Sequence, residues 1–310
     1  MAYYDSYKQL IGNTPIVKLS GKGFPDGVEV FAKLEFYNPA GSVKDRAGYY
    51  MLIDAEQKGI LKPGGTIVES TSGNMGLGIA FAVLGRGYNV IMVITDKVSV
   101  EKRALLRALG ARLEVVPNSE GMAGAMRRVD EICASVDGAV TFRQFSNPAN
   151  MRAHYETTGP EIYRDLGGRI DYFIAGAGSG ATFTGVMKYL REQDAGIKSV
   201  LVDPIGSVYT CKEHGAYITE GIGNDFIPDI MDMSLVDEHI NVNDEIAFEG
   251  SRMLVRNEGI FSGPASGACY YAAMKYAEAG HRGRFVILIT DGGDRYISKG
   301  LYNFDTKKAE

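Results

Sequence analysis

Cysteine and histidine are scarce in this chain. Cys133, Cys211 and Cys269 stand far apart with no metal-ligand spacing, and the four histidines are isolated. No metal centre is expected, and an odd, sparse cysteine count suits a reducing compartment better than a disulfide-stapled fold. No block of Lys or Arg occurs. The net charge of −5 is mild and spread along the sequence, which argues against a nucleic-acid or anionic-membrane partner. No apolar run approaches the length of a membrane span, and the opening Met-Ala-Tyr-Tyr-Asp lacks a signal-peptide layout. A cytoplasmic protein is the expectation. Repeats, low-complexity tracts and long linkers are missing too.

What is present is apolar sequence in short, regular pieces. The chain has 310 residues and 45% hydrophobic content, enough for a large core and near the size at which one domain becomes two. Strand-like runs at 28–34, 66–69, 90–94, 113–116, 172–175, 200–202 and 285–289 alternate with helical stretches such as 100–109 and 122–135. Such alternation argues for parallel sheets with helices on both faces.

The 39 glycines cluster in turns that follow these strands, where open parallel sheets bind ligands. Thr71-Ser72-Gly73-Asn74 leads from a strand into a helix, and hydroxyls at a helix start suit a carboxylate or phosphate. Gly178-Ser179-Gly180-Ala181-Thr182 does the same with the form of a phosphate cup. Gly176, Gly178 and Ala181 also fit GxGxxA, which keeps a nicotinamide-binding fold open. The acid that such a fold needs about twenty residues on is missing, apart from Asp203 before Pro204. Two further turns, Glu220 to Asp232 and Gly259 to Ala268, add small and polar residues.

One lysine stands out against these turns. Lys44 follows the turn Asn38-Pro39-Ala40-Gly41-Ser42, with Ser42 placed to cap the next helix. A helix N-terminus opposes positive charge, so it favours a neutral amine able to attack a carbonyl. Lysine plus anion-friendly turns suggests one phosphorylated cofactor carrying an aldehyde.

These residues resemble the cysteine synthase and cystathionine β-synthase family of pyridoxal-phosphate enzymes, which shares the tryptophan synthase β fold. Asn38 to Arg46 resembles the family's Schiff-base lysine motif, and Thr71 to Asn74 its substrate-carboxylate loop. Gln144 to Asn150 resembles a second substrate segment, Gly178 to Thr182 the phosphate loop, and Glu220 to Gly223 and Gly293 to Tyr296 further signatures. The resemblance implies an α/β protein of two three-layer α/β/α domains with mostly parallel sheets, fold type II among these enzymes. Residues 1–44 and 151–310 would form the larger cofactor domain, and 45–150 a smaller mobile domain carrying the substrate loop.

The resemblance also implies the roles. Lys44 holds the pyridoxal phosphate and later removes the α proton. Asn74, Gly178, Ser179, Gly180, Ala181, Thr182 and Ser266 complete the cofactor site, while Thr71, Ser72, Asn74, Gln144 and Gly221 hold a small amino-acid substrate. The chain departs from the family at Met75, where Thr is usual, at Ala265-Ser266 in place of Ser-Ser, and at Asn224-Asp225 in place of small residues. The implied reaction is β-replacement through an aminoacrylate in a homodimer. L-Cysteine and water giving L-serine and hydrogen sulfide is the expected version, with Asp232 activating the water and Asp225 competing for that role. Cysteine synthesis from O-acetylserine and a cystathionine-type thiol replacement are the alternatives.

Overall fold

The computed structural model describes residues 3–303. Two sheets organise the chain. The first joins β1 (Ile16–Lys18) and β2 (Val28–Leu34) to four later strands: β7 (Tyr172–Gly176), β8 (Lys198–Pro204), β9 (Glu238–Val242) and β10 (Gly283–Ile289). Its order is β1-β2-β10-β7-β8-β9. All neighbours are parallel except β1, which lies antiparallel on β2. The second sheet has the order β5-β4-β3-β6 and is wholly parallel. It uses β3 (Thr66–Ser70), β4 (Asn89–Thr95), β5 (Arg112–Val116) and β6 (Ala139–Val140).

Helices cover both faces of each sheet, as the unbroken apolar runs require. Phe285, Ile287 and Ile289 of β10 point to one side of the first sheet and join a core with α8 (Asp244–Glu258) and α9 (Pro264–Glu278). Val286 and Leu288 point to the other, where they meet Phe183, Val186 and Met187 of α7 (Ala181–Gln193) and Ile162 of α6 (Gly159–Asp165). In the second sheet Met92 and Ile94 pack with α1 (Lys44–Gln57), α2 (Asn74–Ala82) and α3 (Val100–Ala108). Ile91 and Val93 pack with α4 (Gly121–Ser135). The short α5 (Pro148–Ala153) runs through a π-turn at His154–Thr158 into α6.

Both sheets reverse their winding direction once. In the first, β7 lies between β8 and β10, so the segments leaving β7 and β10 diverge. In the second, β3 lies between β4 and β6. A crevice opens at the carboxyl end of each such reversal, where α/β proteins take their ligands. Here both crevices open into one cleft.

The helix after the Thr71 turn begins at Asn74, and the one after Gly180 begins at Ala181. One local expectation changes. Val43, not Ser42, occupies the cap position of α1, with no side-chain cap. The Ser42 hydroxyl instead accepts the Lys44 N–H at 3.2 Å.

Candidate active site

The cleft has a volume of about 490 Å³, and its walls come from both sheets. From the four-stranded half come Lys44, Ser72, Asn74, Gln144 and, farther out, Asn118 and Gly121. From the six-stranded half come Gly178, Ser179, Gly221, Asp225 and Thr290.

Lys44 opens α1 and lines the cleft half-buried. Burial brings its amine down to about 8, against an upward pull from the carboxylates of Asp291 and Glu35. The turn of α1 that carries it is pinned from beneath. Arg46, 1% exposed, donates to Glu35 and Glu161, and Lys33 pairs with Glu161 at 2.8 Å.

The Thr71 turn is shaped by its own hydroxyl. Thr71 Oγ1 is buried and accepts the N–H groups of Gly73 at 2.9 Å and Gly76 at 3.1 Å, so it supports the turn from behind. Ser72 and Asn74 face the cleft. The Asn74 amide is held from the other half, donating to Asp291 Oδ2 at 2.6 Å and accepting from Arg295 Nη1 at 2.9 Å. Gln144 reaches the same corner and anchors to the Ser70 carbonyl at 2.5 Å.

The glycines of the second turn are demanded by packing. A Cβ on Gly176 would stand 2.1 Å from Ile222 Cγ2, and one on Gly178 would stand 3.0 Å from the Gly221 carbonyl. Gly180 has φ +81° and lies against Met231. The turn delivers Ser179 to the cleft wall and puts Ala181 and Thr182 in the first turn of α7. The Thr182 hydroxyl lies 3.2 Å from His154 Nε2. Burial, with the charges of Lys44 and Arg46, pushes His154 well below the usual histidine range, so its ring is neutral.

Ser266 is fully buried. It accepts the Thr290 N–H at 2.9 Å and sits 3.3 Å from the Thr290 hydroxyl, so Thr290 is the hydroxyl that reaches the cleft.

Asp232 is not brought to the cleft. Its carboxylate caps the turn Met233–Leu235, accepting from the Ser234 N–H at 3.0 Å and the Ser234 hydroxyl at 2.6 Å. The acids on the cleft wall are Glu220 and Asp225, and Asp225 Oδ1 is buried with no hydrogen-bond partner among the described residues. Asp203 does not serve a dinucleotide: it is buried and accepts from Thr210 Oγ1 at 2.7 Å.

Sequence reasoning missed Lys102, Asp291 and His154. Each reads alone as an ordinary polar residue, and only the folded chain makes them buried partners of the site. The described residues hold no cluster of three or more potential metal-ligating side chains, and none of their helices is long and apolar enough to cross a membrane.

A family model described as "Pyridoxal-phosphate dependent enzyme" matches residues 7–291. The O-acetylserine dependent cystathionine beta-synthase of Bacillus subtilis (strain 168) is 41% identical over 295 residues, covering 95% of this chain and 96% of its own length. The cysteine synthase of Staphylococcus aureus (strain N315) is 41% identical over 304 residues, 97% of this chain and 98% of that protein. The crystal structure of a hydrogen sulfide-producing enzyme from Fusobacterium nucleatum superposes with a TM-score of 0.92 at 36% identity, covering 95% of this chain and all of that one.

Proposed function

The chain belongs to the pyridoxal-phosphate dependent enzyme family, in its cysteine synthase and cystathionine β-synthase branch, and from that premise we propose that it converts L-cysteine and water to L-serine and hydrogen sulfide. The coarser statement, β-replacement on a small amino acid, is the family's.

The residues present suit the cofactor. A half-buried lysine, a small-residue turn running into α7, the Ser179 hydroxyl on the cleft wall and the Thr182 hydroxyl in the first turn of α7 are the groups an aldehyde and a phosphate need. Lys44 would bind the aldehyde carbon, and Gly178, Ser179, Gly180, Ala181 and Thr182 the phosphate. Asn74 and the Ser266–Thr290 hydroxyl pair would meet the ring. When bound, pyridoxal phosphate supplies an electron sink for the charge left at Cα.

The chain's own groups do the rest. Ser72, Asn74, Gln144 and the Gly221 backbone orient the amino acid by its carboxylate, with Thr71 shaping the turn. Lys44 Nζ removes the Cα proton. An amine with a pKa of about 8 is roughly one-tenth neutral at pH 7, far more than an ordinary lysine. The carbon–sulfur bond breaks and its electron pair leaves on sulfur as hydrosulfide. A water oxygen then bonds to Cβ while Asp225 takes the water proton, which ends on the hydrosulfide, and Lys44 Nζ returns to Cα the proton it removed. The part from 45 to 150 closes as a unit over the substrate, in a cytoplasmic homodimer.

The observation that carries the hydrolytic version is Asp225 Oδ1, buried on the cleft wall without a partner. A second reading, O-acetylserine as donor with sulfide or a thiol as nucleophile, draws on the names of the curated relatives.

Product analysis separates the two. L-Cysteine alone should give sulfide and serine in equal amounts. Asp225→Asn should slow serine formation by about tenfold or more, while Asp232→Asn stays near wild type. Turnover of O-acetylserine plus sulfide, with none of cysteine alone, would overturn the proposal in favour of the second reading.

A further inference from the structure

Lys102 lies on α3 of the four-stranded half, is 1% exposed, and ends among groups of the six-stranded half. Its Nζ donates to Glu220 Oε2 at 2.8 Å and to the Tyr296 hydroxyl at 2.8 Å, and stands 4.1 Å from the centre of the Tyr296 ring. Its stem has a different neighbour. A Cβ on Gly73 would fall 2.5 Å from Lys102 Cδ, and Gly73 holds φ +119°, a conformation that side-chain-bearing residues avoid. The middle of the turn Ser72-Gly73-Asn74 therefore rests on the Lys102 stem.

The same partners hold the end of that turn. Tyr296 donates to Asp291 Oδ2 at 2.5 Å, and Asp291 Oδ2 also receives the Asn74 amide at 2.6 Å. Gly73 through Lys102, and Asn74 through Asp291, are both tied to Tyr296. Moving α3 away from Glu220 and Tyr296 would take the Lys102 stem from beside Gly73 and the ammonium from the Tyr296 hydroxyl that bonds Asp291, the partner of Asn74.

We propose that Lys102 is a positioning residue for the amino-acid donor. Docked on Glu220 and Tyr296, it fixes the Gly73 turn in the shape that receives the donor's carboxylate. Donor binding and the seating of α3 on the six-stranded half are then one event. The proposal rests on the reading of Ser72 to Asn74 as the donor-carboxylate site.

Removing the lysine charge alone would leave Glu220 Oε2 buried without its partner, with Lys299 at 3.5 Å from Oε1 as the remaining cation. The test therefore neutralises both members in Lys102→Met/Glu220→Gln, with Lys102→Arg and Tyr296→Phe beside it. The holoenzymes are titrated with L-serine and L-cysteine by the visible band of the cofactor, and their amide exchange is followed by mass spectrometry with and without L-serine.

In wild type, L-serine should slow exchange at 71–76 and at 97–106 together. The double variant should bind both amino acids about tenfold more weakly, raise KM more than it lowers kcat, and lose the shared protection. Its cofactor affinity should not change. Lys102→Arg should recover most of the affinity, and Tyr296→Phe should lose about threefold or more even if the double variant fails to fold. Wild-type donor affinity and shared protection in the double variant, or in Tyr296→Phe where the double variant cannot be made, overturn the proposal. Protection by L-serine elsewhere than 71–76 in wild type would remove the donor-site reading, and the proposal with it.

Discussion

Arg46 closes both arms of its guanidinium on Glu161, Nη1 to Oε1 at 2.6 Å and Nη2 to Oε2 at 2.7 Å. Its Nε and Nη2 reach Glu35 at 2.8 Å each. Two residues after Lys44, the start of α1 is thereby fastened to α6 and to the end of β2. Arg46→Met should cost about 3–5 kcal/mol of unfolding free energy, because it leaves the buried Glu35 carboxylate without its paired cation and with only the Thr14 hydroxyl and Asn38 amide as donors, whereas Glu161 keeps Lys33. Urea unfolding measures this, and a loss below about 1 kcal/mol would mean the network is not a fastening at all.

How much of this could be read beforehand depended on whether a residue's role was local. The run Phe285 to Ile289 announces a strand buried on both faces, and it is one. Strand β9, Glu238–Val242, gave no such signal because as an edge strand it buries little but Val242. Helix α8 could have been found, since Asn243 caps it, Asp244 and Glu245 follow, and Gly259 ends it. The turns of the site were legible because a glycine forced into a left-handed or crowded position leaves a mark in the sequence. Lys102 left none: in Val100-Glu101-Lys102-Arg103 it looks like one more solvated charge, and its partners lie 118 and 194 residues away. Asp225 and Asp232 share one polar loop, and spacing cannot tell which carboxylate turns inward and which caps its own turn.

Glu69 gives stability a pH dependence. Burial raises its carboxyl to about 7, against backbone N–H groups of Gln144, Phe142 and Ser70 and the Thr141 hydroxyl, which pull it down. The folded state then holds a proton that the unfolded chain has released, so stability falls as pH rises from about 4.5 to 7. The fall attributable to Glu69 is on the order of 3 kcal/mol. Asp45, also raised to about 7 by burial, shares much of the window. Denaturant midpoints across pH 4–8 should therefore slope less in Glu69→Gln without becoming flat, and an unchanged slope would show that Glu69 ionises freely.

Thr182 tests the phosphate turn. Its hydroxyl sits beside the neutral His154 ring at the start of α7, and Thr182→Val removes it while keeping the branched shape. Cofactor affinity by equilibrium dialysis should drop by about 1.5–3 kcal/mol, the worth of a hydrogen bond to a charged group. Unchanged affinity would reduce the hydroxyl to a packing role.

Lys44→Ala should fold normally and have no turnover. Borohydride treatment of the wild-type holoenzyme should fix the cofactor's mass on the peptide carrying Lys44, and the variant should show no such adduct at any lysine. An adduct that persists in Lys44→Ala would move the assignment elsewhere.

Because both sheets spend their carboxyl ends on a single cleft, the opposite ends of their strands form a pole that lies away from it. The turns entering β3, β4, β5, β6, β7 and β10 contain Gly64, Gly85, Gly110, Gly138, Gly167 and Gly280, and each has nothing within 4 Å of where a side chain would begin. All six hold a positive φ, so a side chain at the glycine itself would be strained despite the open space. A tether or grafted loop belongs beside the glycine in each turn, on the side of the sheets away from the cleft.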